Sequence, residues 1–204
     1  LGYESTLEEF EKSLQKLGMD YLDLYLIHWP RPFDLSAEWK DLDVETWQAM
    51  EKLYRDGKVR AIGVSNFLPH HLNNLMERTG IVPLVNQLEF HPGYIQKAAV
   101  DFSQRHGIQV EAWSPLGRAR VLREPLLGEL AEKYQVSVAQ ICVRFALQCG
   151  VLPLPKSSSP ERMRQNLDVF GFSIEDDDMH RLMTLPQLGW SGEHPDRETV
   201  PPEG

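Results

Sequence analysis

The sequence predicts an α/β fold of parallel strands, and two observations lead to this prediction. Short apolar segments of strand length alternate along the 204-residue chain with amphipathic segments of helix length. Each strand-length segment is followed by a helical one, which is typical of parallel strands joined by right-handed crossovers. Two architectures fit this order: an open doubly wound sheet and a (β/α)8 barrel of the TIM type.

The predicted strands are runs of mainly apolar residues, and the predicted helices carry apolar residues three and four positions apart. In chain order the five strands are 21–27, 59–64, 84–90, 108–113 and 151–155. The helices are 4–17, 44–56, 69–78, 95–106, 125–134, 137–148, one that begins at Pro160, and 173–185. Gly18 and Gly57 end the first two helices, and Ser159 and Ser173 are the predicted caps of the last two. Residues from Leu188 onward are predicted to form an irregular tail.

Two features favour the barrel. No strand opens into a glycine-rich dinucleotide fingerprint, which counts against the doubly wound sheet. Polar or reactive side chains stand at or near the carboxyl end of each predicted strand, where barrel enzymes carry their chemistry: His28, Ser65, Asn66, Gln87, Glu89, Trp113, Ser114, Lys156 and Ser157. We therefore predict one domain over residues 1–204, formed by the last five βα units of an eight-unit barrel, with the first three units upstream of Leu1.

The composition excludes several classes of partner. The chain has 30 acidic and 21 basic residues and a net charge of −9, which argues against a nucleic-acid or anionic-membrane partner. No apolar run approaches the roughly 20 residues of a membrane span, and the N-terminus does not resemble a signal peptide. Cys142 and Cys149 lie in an apolar helical pattern, so we expect buried thiols rather than a disulfide or a metal site. A cytoplasmic location follows as the expectation.

The segment 151–166 (VLPLPKSSSPERMRQN) predicts a phosphate site at a helix N-terminus. Ser159 suits the cap, Pro160 the first helical position, and the free backbone N–H groups of such an end attract anions. Lys156, the serines and Arg162 add donors and positive charge in an otherwise acidic chain. The ligand expected is a terminal phosphate monoester. The alternative is a well-capped helix whose basic side chains are only solvated.

Several motifs together resemble the aldo-keto reductase superfamily, in matching order and spacing over essentially the whole chain. The segment 20–30 (DYLDLYLIHWP) resembles the family's signature around its catalytic histidine, and 57–67 (GKVRAIGVSNF) resembles the following strand and nicotinamide-amide site. Further matching positions are Asn86-Gln87, 113–117 (WSPLG) and 154–157 (LPKS) with Arg162 and Asn166. The tail sequence His194-Pro195-Asp196 is similar to that of bacterial members that reduce diketogluconate or small dicarbonyls.

The resemblance implies that His28 stands near the substrate carbonyl, orients it and contributes to its protonation. Taken alone, a histidine at a strand end is more readily explained as a hydrogen-bonded structural residue than as a catalytic one. Trp29 would line an apolar substrate pocket, and Trp190 of the tail could do so too or simply anchor the tail.

The resemblance also implies a nicotinamide site. Ser65, Asn66 and Gln87 would hold the carboxamide, which needs donors and acceptors, and hydroxyl and amide groups supply both. Trp113 would stack on the nicotinamide ring. The structural alternatives are turn or cap chemistry for Ser65 and Asn66 and a core position for Trp113.

The remaining cofactor positions are grouped by the part of NADPH that each would contact. Ser114, Leu116 and Gly117 would approach the pyrophosphate, Lys156, Ser157, Ser158 and Arg162 would hold the 2′-phosphate, and Gln165 and Asn166 would contact the adenine. Because NADH lacks the 2′-phosphate, these donors predict a preference for NADPH. The implied reaction is the reduction of an aldehyde or ketone to an alcohol, on a small-molecule carbonyl substrate, by a protein that is monomeric when full length.

The family's catalysis uses an aspartate, a tyrosine that acts as general acid, a lysine and a histidine, and of these the chain matches only the histidine. The other three belong to barrel units expected upstream of Leu1. A truncated, non-catalytic module that binds NADP(H) or a partner is therefore an alternative. An unrelated phosphate-binding barrel, such as a sugar-phosphate isomerase, fits the architecture but does not account for Gln87 and Trp113 together.

Overall fold

The computed structural model describes residues 1–30 and 38–196. These residues form two compact units. The first comprises residues 1–86 and 101–108 together with the tail from His194, and the second comprises 87–100 and 109–193. The segment that follows Pro30 and the end of the tail lie outside the described residues, and the single domain over 1–204 stays a prediction.

The described elements alternate as the sequence predicts. The strands are β1 (Leu22–Ile27), β2 (Val59–Ser65), β3 (Val85–Glu89), β4 (Gln109–Trp113) and β5 (Val151–Pro153). The helices are α1 (Tyr3–Leu17), α2 (Trp39–Arg55), α3 (Pro69–Arg78), α4 (Lys97–Arg105), α5 (Pro125–Tyr134), α6 (Val138–Gln148), α7 (Pro160–Leu167) and α8 (Asp176–Met183). Two 3-10 turns, Gly117–Ala119 and Val121–Arg123, follow β4.

The strands form one five-stranded sheet in sequence order, β1-β2-β3-β4-β5. The pairs β1–β2 and β4–β5 are parallel, with Leu24 opposite Ala61 in the first and Val110 opposite Val151 in the second. The predicted α/β class with a parallel sheet is therefore confirmed. The completion of an eight-unit barrel stays a prediction.

The core of the first unit lies between α1, α2, α3 and the strands β1 and β2. Phe10, Trp47 and Leu72 are fully buried there. Trp47 donates through Nε1 to the carbonyl of Ile81 at 2.9 Å. Gly63, in β2, allows β3 to lie close to β2, because a Cβ at this position would be 2.7 Å from the main-chain oxygen of Val85 in β3. A substitution of Gly63 would therefore push these two strands apart.

Helix α2 begins at Trp39, five residues before the predicted start at Val44. Its first turn is bound to α3 by side chains that the periodicity of α2 does not reveal. Arg78 forms an ion pair with Asp41 at 2.6 Å, and Asn74 donates to the carbonyl of Lys40 at 2.9 Å. These contacts join the polar residues of the first turn, Lys40 and Asp41, to α3.

The second unit has its own core around β4, β5, α5 and α6. Phe90 and Phe145 are buried and stack with ring centroids 5.7 Å apart. Ser137 caps α6, since its hydroxyl accepts from the backbone N–H of Gln140 while the Gln140 side chain accepts from the Ser137 N–H. Among the described residues, no helix is both long and apolar enough to cross a bilayer.

The predicted bounds of helix α8 are wrong. It begins at Asp176 after Glu175, so Ser173 is not its cap and the helix is shorter than 173–185 at both ends. The side chain of Gln148 accepts from the N–H of Ile174 at 2.7 Å and donates to the Ile174 carbonyl at 2.8 Å. These two bonds satisfy both backbone groups of Ile174 outside a helix, and Glu175, which follows, has an extended backbone directly before the helix begins.

Candidate functional site

In the first unit, the carboxyl ends of β1 and β2 bring three of the predicted site residues together. Asn66 donates through Nδ2 to the carbonyl of His28 at 2.9 Å and to the Ser65 hydroxyl at 3.1 Å. Ser65 and Asn66 are buried, and Asn66 has a left-handed backbone with φ of 64°. Asparagine tolerates this conformation better than most residues with a Cβ. Asn66 thus ties the two strand ends to one another.

The His28 side chain is exposed, and its ring lies edge-on to that of Trp29 with centroids 6.2 Å apart. An exposed imidazole can contact a small molecule from solution. The neutral ring offers one donor and one acceptor, and the protonated ring offers two donors. The side chain is thus able to donate a hydrogen bond to a carbonyl oxygen.

Asn86 and Gln87 occupy different environments, although they are neighbours in β3. The Asn86 side chain is buried in the first unit, where it donates to the carbonyl of Phe67 at 2.9 Å and to the hydroxyl of Ser103 at 3.2 Å. Gln87 is half-buried in the second unit and donates through Nε2 to Glu111 Oε2 at 2.9 Å. Glu111 was not predicted, because its position opposite Gln87 follows from the sheet and not from any local motif.

A cavity of about 490 Å³ lies in the second unit, where the segments after β4 and β5 meet the N-terminus of α7. Eight of the predicted cofactor positions line it: Ser114, Leu116, Lys156, Ser157, Ser158, Arg162, Gln165 and Asn166. Residues that were not predicted as cofactor positions complete the lining: Pro115, Arg118, Ala119, Leu122, Ser137, Ala139, Leu154 and Pro155. The ends of two strands and one helix N-terminus thus converge on one pocket.

The electrostatics of this cavity differ from those of the chain as a whole. Three cationic side chains line it, those of Arg118, Lys156 and Arg162, and none of the described lining residues is aspartate or glutamate. The chain nevertheless carries a net charge of −9. A concave surface with one sign of charge raises the local concentration of the opposite ion. The cavity is therefore suited to a polyanion.

The N-terminus of α7 has the geometry that the sequence predicts. The Ser159 hydroxyl accepts from the N–H of Arg162 at 3.4 Å, and Pro160 occupies the first turn. The hydroxyl of Ser157 accepts from the N–H of Ser159 at 3.1 Å. A helix of eight residues with this cap presents its positive end beside Lys156 and Arg162.

Trp113, which ends β4, and Gly117, in the segment after it, are not among the residues that line the cavity. Trp113 is half-buried, and the guanidinium of Arg118 lies over its ring at 5.6 Å from the centroid. Gly117 is buried with φ of 53°, and a Cβ there would lie 2.8 Å from Val121 Cγ1. The packing of Val121 thus explains the glycine, and a contact of Gly117 with a ligand stays a prediction.

His70, His71 and Asp196, in the first unit, bring possible ligand atoms within 4.8 Å of one another, although the sequence predicts no metal site. Nδ1 of His71 accepts from the N–H of Leu68 at 3.0 Å. The proton of the neutral ring is then on Nε2, which lies 3.0 Å from Asp196 Oδ1. A protonated ring nitrogen cannot bind a metal ion. The group therefore fits polar contacts between the tail and α3 better than metal binding.

Burial alone would raise the pKa of Asp196, but the hydrogen bond with His70 and electrostatic interactions with the neighbouring histidines outweigh it and lower that pKa. Cys142 and Cys149, in the second unit, form no disulfide among the described residues. Burial raises the pKa of Cys142 to about 12 and that of Cys149 to about 11, so both are protonated at neutral pH. Neither thiol has the low pKa of a nucleophile.

The chain matches the profile of the Aldo/keto reductase family over residues 2–185. Two proteins of Bacillus subtilis (strain 168) are similar to it: the oxidoreductase YtbE, 48% identical over 196 residues, and a glyoxal reductase, 49% identical over 195 residues. Each alignment covers 96% of this chain, but only 67% and 68% of those two proteins. A solved structure of a Gox0644 mutant in complex with NADPH is 43% identical with a TM-score of 0.87, covering 96% of this chain and 70% of that one.

Proposed function

The chain belongs to the aldo/keto reductase family, and from that premise we propose that it serves the NADPH-dependent reduction of an aldehyde or ketone to an alcohol. The observation that carries the proposal is the cavity of the second unit, with three cations and, among its described lining residues, no acidic side chain. NADPH is the polyanion that fits the family. The relative crystallised with NADPH supports this choice of ligand.

We assign the 2′-phosphate to the N-terminus of α7. Lys156, Ser157, Ser158 and Arg162 line this part of the cavity and offer charged and neutral donors. Phosphate accepts several charge-assisted hydrogen bonds, and a guanidinium can supply two of them. The amides of Gln165 and Asn166 are on the same helix and suit the donor and acceptor groups of adenine. NADPH is therefore expected to bind more tightly than NADH.

The other half of the cofactor is assigned to residues that lie in or directly after β2, β3 and β4. Ser65, Asn66 and Gln87 would hold the carboxamide, and the Trp113 ring would orient the nicotinamide, while Ser114, Leu116 and Gly117 would adjoin the pyrophosphate. When bound, the cofactor supplies hydride. His28 would donate a hydrogen bond to the carbonyl oxygen, favouring its orientation and its protonation. Trp29 is proposed as an apolar wall of the substrate site.

We also propose that the five-stranded sheet belongs to a (β/α)8 barrel of which this chain supplies the last five units. The proposal rests on the likeness to a solved family member of which the chain covers 70%. The family's catalytic aspartate, tyrosine and lysine would then belong to the other units. The intact mass of the protein from its natural source tests this, since a mass equal to that of the 204 residues would contradict it. A cytoplasmic location and a monomeric state stay predictions from composition and resemblance.

The enzymatic proposal is tested by following NADPH absorbance with the full protein and a panel of aldehydes. Glyoxal is the first substrate to try, because a relative 49% identical is named a glyoxal reductase. We expect oxidation of NADPH that depends on the carbonyl compound, and a slower reaction with NADH. Tight NADPH binding without turnover would contradict the enzymatic proposal and leave a non-catalytic binding module.

A further inference from the structure

Arg118 lies where the cofactor cavity meets the tail, and three features converge on it. Its side chain lines the cavity together with Lys156 and Arg162. Its guanidinium lies over the ring of Trp113 at 5.6 Å from the centroid. Its Nη2 forms an ion pair with Glu193 Oε2 at 3.2 Å. The carboxylate that neutralises this cation thus comes from the tail, next to a cavity suited to anions.

The loop that carries Arg118 is conformationally unusual. Arg118 and Ala119 both have left-handed backbones, with φ of 52° and 67°, and Ser114 at the start of the loop has φ of 49°. Residues with a Cβ adopt this region reluctantly, and such residues cluster at ligand sites and switch regions. The loop therefore holds the Arg118 side chain at a position that local preferences do not favour.

Glu193 is placed beside Arg118 by two sets of hydrogen bonds. One set lies within the tail residues 190–193, and the other joins these residues to the rest of the second unit. Ser191 donates to the buried carboxylate of Glu89 through its N–H at 2.9 Å and through its hydroxyl at 2.7 Å. Arg120 donates to the carbonyl of Trp190 at 2.6 Å, and Trp190 Nε1 donates to the carbonyl of Glu193 at 3.2 Å. The Glu193 carboxylate is thus delivered to Arg118 by a tail segment that is anchored independently of that ion pair.

We propose that Arg118 exchanges partners when the cofactor binds: the Glu193 carboxylate occupies the guanidinium in the cofactor-free protein, and a phosphate of the dinucleotide replaces it. The inference rests on the proposed function and adds a residue and a regulatory contact to that site. Carboxylate and phosphate accept from the same donors of a guanidinium, so they compete for it. The side chains of Arg118 and Glu193 are 44% and 49% exposed, and so exposed a pair is weak enough to be displaced.

The exchange also concerns Trp113. The guanidinium that lies over its ring would move towards the phosphate, and the ring face that it leaves becomes accessible to the nicotinamide. The tail segment with Glu193 and the cofactor would therefore oppose one another. Because coupling between two binding events is reciprocal, the Glu193 carboxylate lowers the affinity for NADPH by the factor by which NADPH weakens the contact with the tail.

The test is a titration of the full protein with NADPH, in which the dissociation constant is measured for the wild type and for charge-removing variants. Glu193→Gln is expected to tighten binding about two- to fivefold, because it removes a weak competitor. Arg118→Gln is expected to weaken binding about tenfold, because it removes a charge-assisted donor, and Arg118→Lys to restore part of the loss. In the double variant, Glu193→Gln should have no further effect.

Glu129→Gln is the matched control for net charge. Glu129 is also exposed, belongs to the same unit and pairs with Arg181 at 2.8 Å, outside the lining of the cavity. An equal effect of Glu193→Gln and Glu129→Gln on NADPH affinity would overturn the exchange, as would a gain from Glu193→Gln that persists in the Arg118→Gln background. If the wild type does not bind NADPH, the proposed function and the exchange both fail. Binding by the wild type without a specific effect of Glu193 overturns the exchange alone.

Discussion

The carboxyl group of Asp43, in α2, is buried. Its side chain has 0% exposure, and neither of its oxygens has a hydrogen-bond partner among the described residues. Burial raises the pKa of Asp43 to about 8. The group therefore keeps a proton over much of the pH range in which an ordinary aspartate ionises.

Asp43→Asn is predicted to stabilise the protein at neutral and mildly alkaline pH. Between the ordinary pKa of 3.8 and about 8 the folded state binds one more proton than the unfolded state, so stability falls as pH rises. The amide removes this dependence, and the gain at neutral pH is on the order of 1–4 kcal/mol. Denaturant unfolding of the wild type and the variant at about pH 5 and about pH 8 measures the free energy of unfolding and its dependence on pH.

The control for Asp43 is Asp20→Asn, which removes an exposed carboxyl group from the same unit. It is expected to leave the pH dependence of unfolding unchanged. If Asp43→Asn and Asp20→Asn give the same slope of stability against pH, then Asp43 ionises normally and the argument from burial is wrong.

His28→Gln is predicted to lower turnover about tenfold to a hundredfold while changing NADPH affinity little. The side chain is exposed, and it is the His28 main-chain carbonyl that accepts from Asn66, so the substitution preserves the contact between the strand ends. Steady-state kinetics and an NADPH titration on the same preparation separate the two effects. A large loss of affinity with turnover unchanged would contradict the proposed role of His28.

At the scale of single residues, the sequence predicts the cavity residues before and within α7, but it predicts neither Arg118 of the cavity nor Glu111, the partner of Gln87. Lys156, Ser157 and Arg162 follow a strand and surround a capped helix start, so a local pattern indicates their function. The contacts of Arg118 and Glu111 depend on the tail and on a neighbouring strand. No local pattern carries that information, although an arginine directly after the 113–117 motif of an acidic chain is a signal that could have been weighed.

Among the elements, α8 shows how side chains from elsewhere override a local signal. Ser173 and the acidic run that follows suggest a helix start, but two hydrogen bonds with the Gln148 side chain bind the backbone of Ile174 before the helix begins. The start of α2 is the opposite case, because Arg78 pairs with Asp41 in a first turn that periodicity alone leaves out. The bounds of α3 and α5 agree with the sequence, since a proline begins each and apolar spacing defines their length.

Helix α8 is attached to α5 through Asp178, whose side chain is only 6% exposed. It accepts from Lys133 Nζ at 2.6 Å, from the Tyr134 hydroxyl at 2.7 Å and from Arg181 at 3.1 Å. The hydrogen bond from Lys133 is the main cause that lowers the pKa of Asp178, and those from Tyr134 and Arg181 add to it against the effect of burial. The ionised carboxylate is therefore the form that stabilises this contact.

Asp178→Asn is predicted to lower the stability of the protein at neutral pH, and the difference from the wild type should shrink in acid. A carboxyl group with a lowered folded pKa contributes stability above its ordinary pKa, and this is lost as pH falls through the folded value. Thermal unfolding from about pH 7 to about pH 3 measures the difference. Glu175→Gln removes a 67% exposed partner of the same lysine and should cost much less. Equal effects of the two variants would contradict the role given to Asp178.

For the whole molecule, the alternation of strands and helices is sufficient to predict the parallel sheet, because it depends on short-range patterns repeated along the chain. Net charge is a less direct guide to the binding site. The chain has a net charge of −9, yet three cationic residues line one cavity, so the total charge predicts neither that cavity nor its ligand. Only the position of Lys156 and Arg162 beside a capped helix start indicates it in advance.

The central claim is that this cavity binds NADPH through its 2′-phosphate, and the most direct test is to titrate wild type, Arg162→Ala and Arg164→Ala with NADPH and NADH. Arg164 is also exposed on α7 but does not line the cavity, so it controls for charge and helix stability. We predict that wild type prefers NADPH, and that Arg162→Ala weakens NADPH binding about tenfold to a hundredfold and NADH binding little. Equal affinity of the wild type for both cofactors, or an equal loss for both in Arg162→Ala, would contradict the claim.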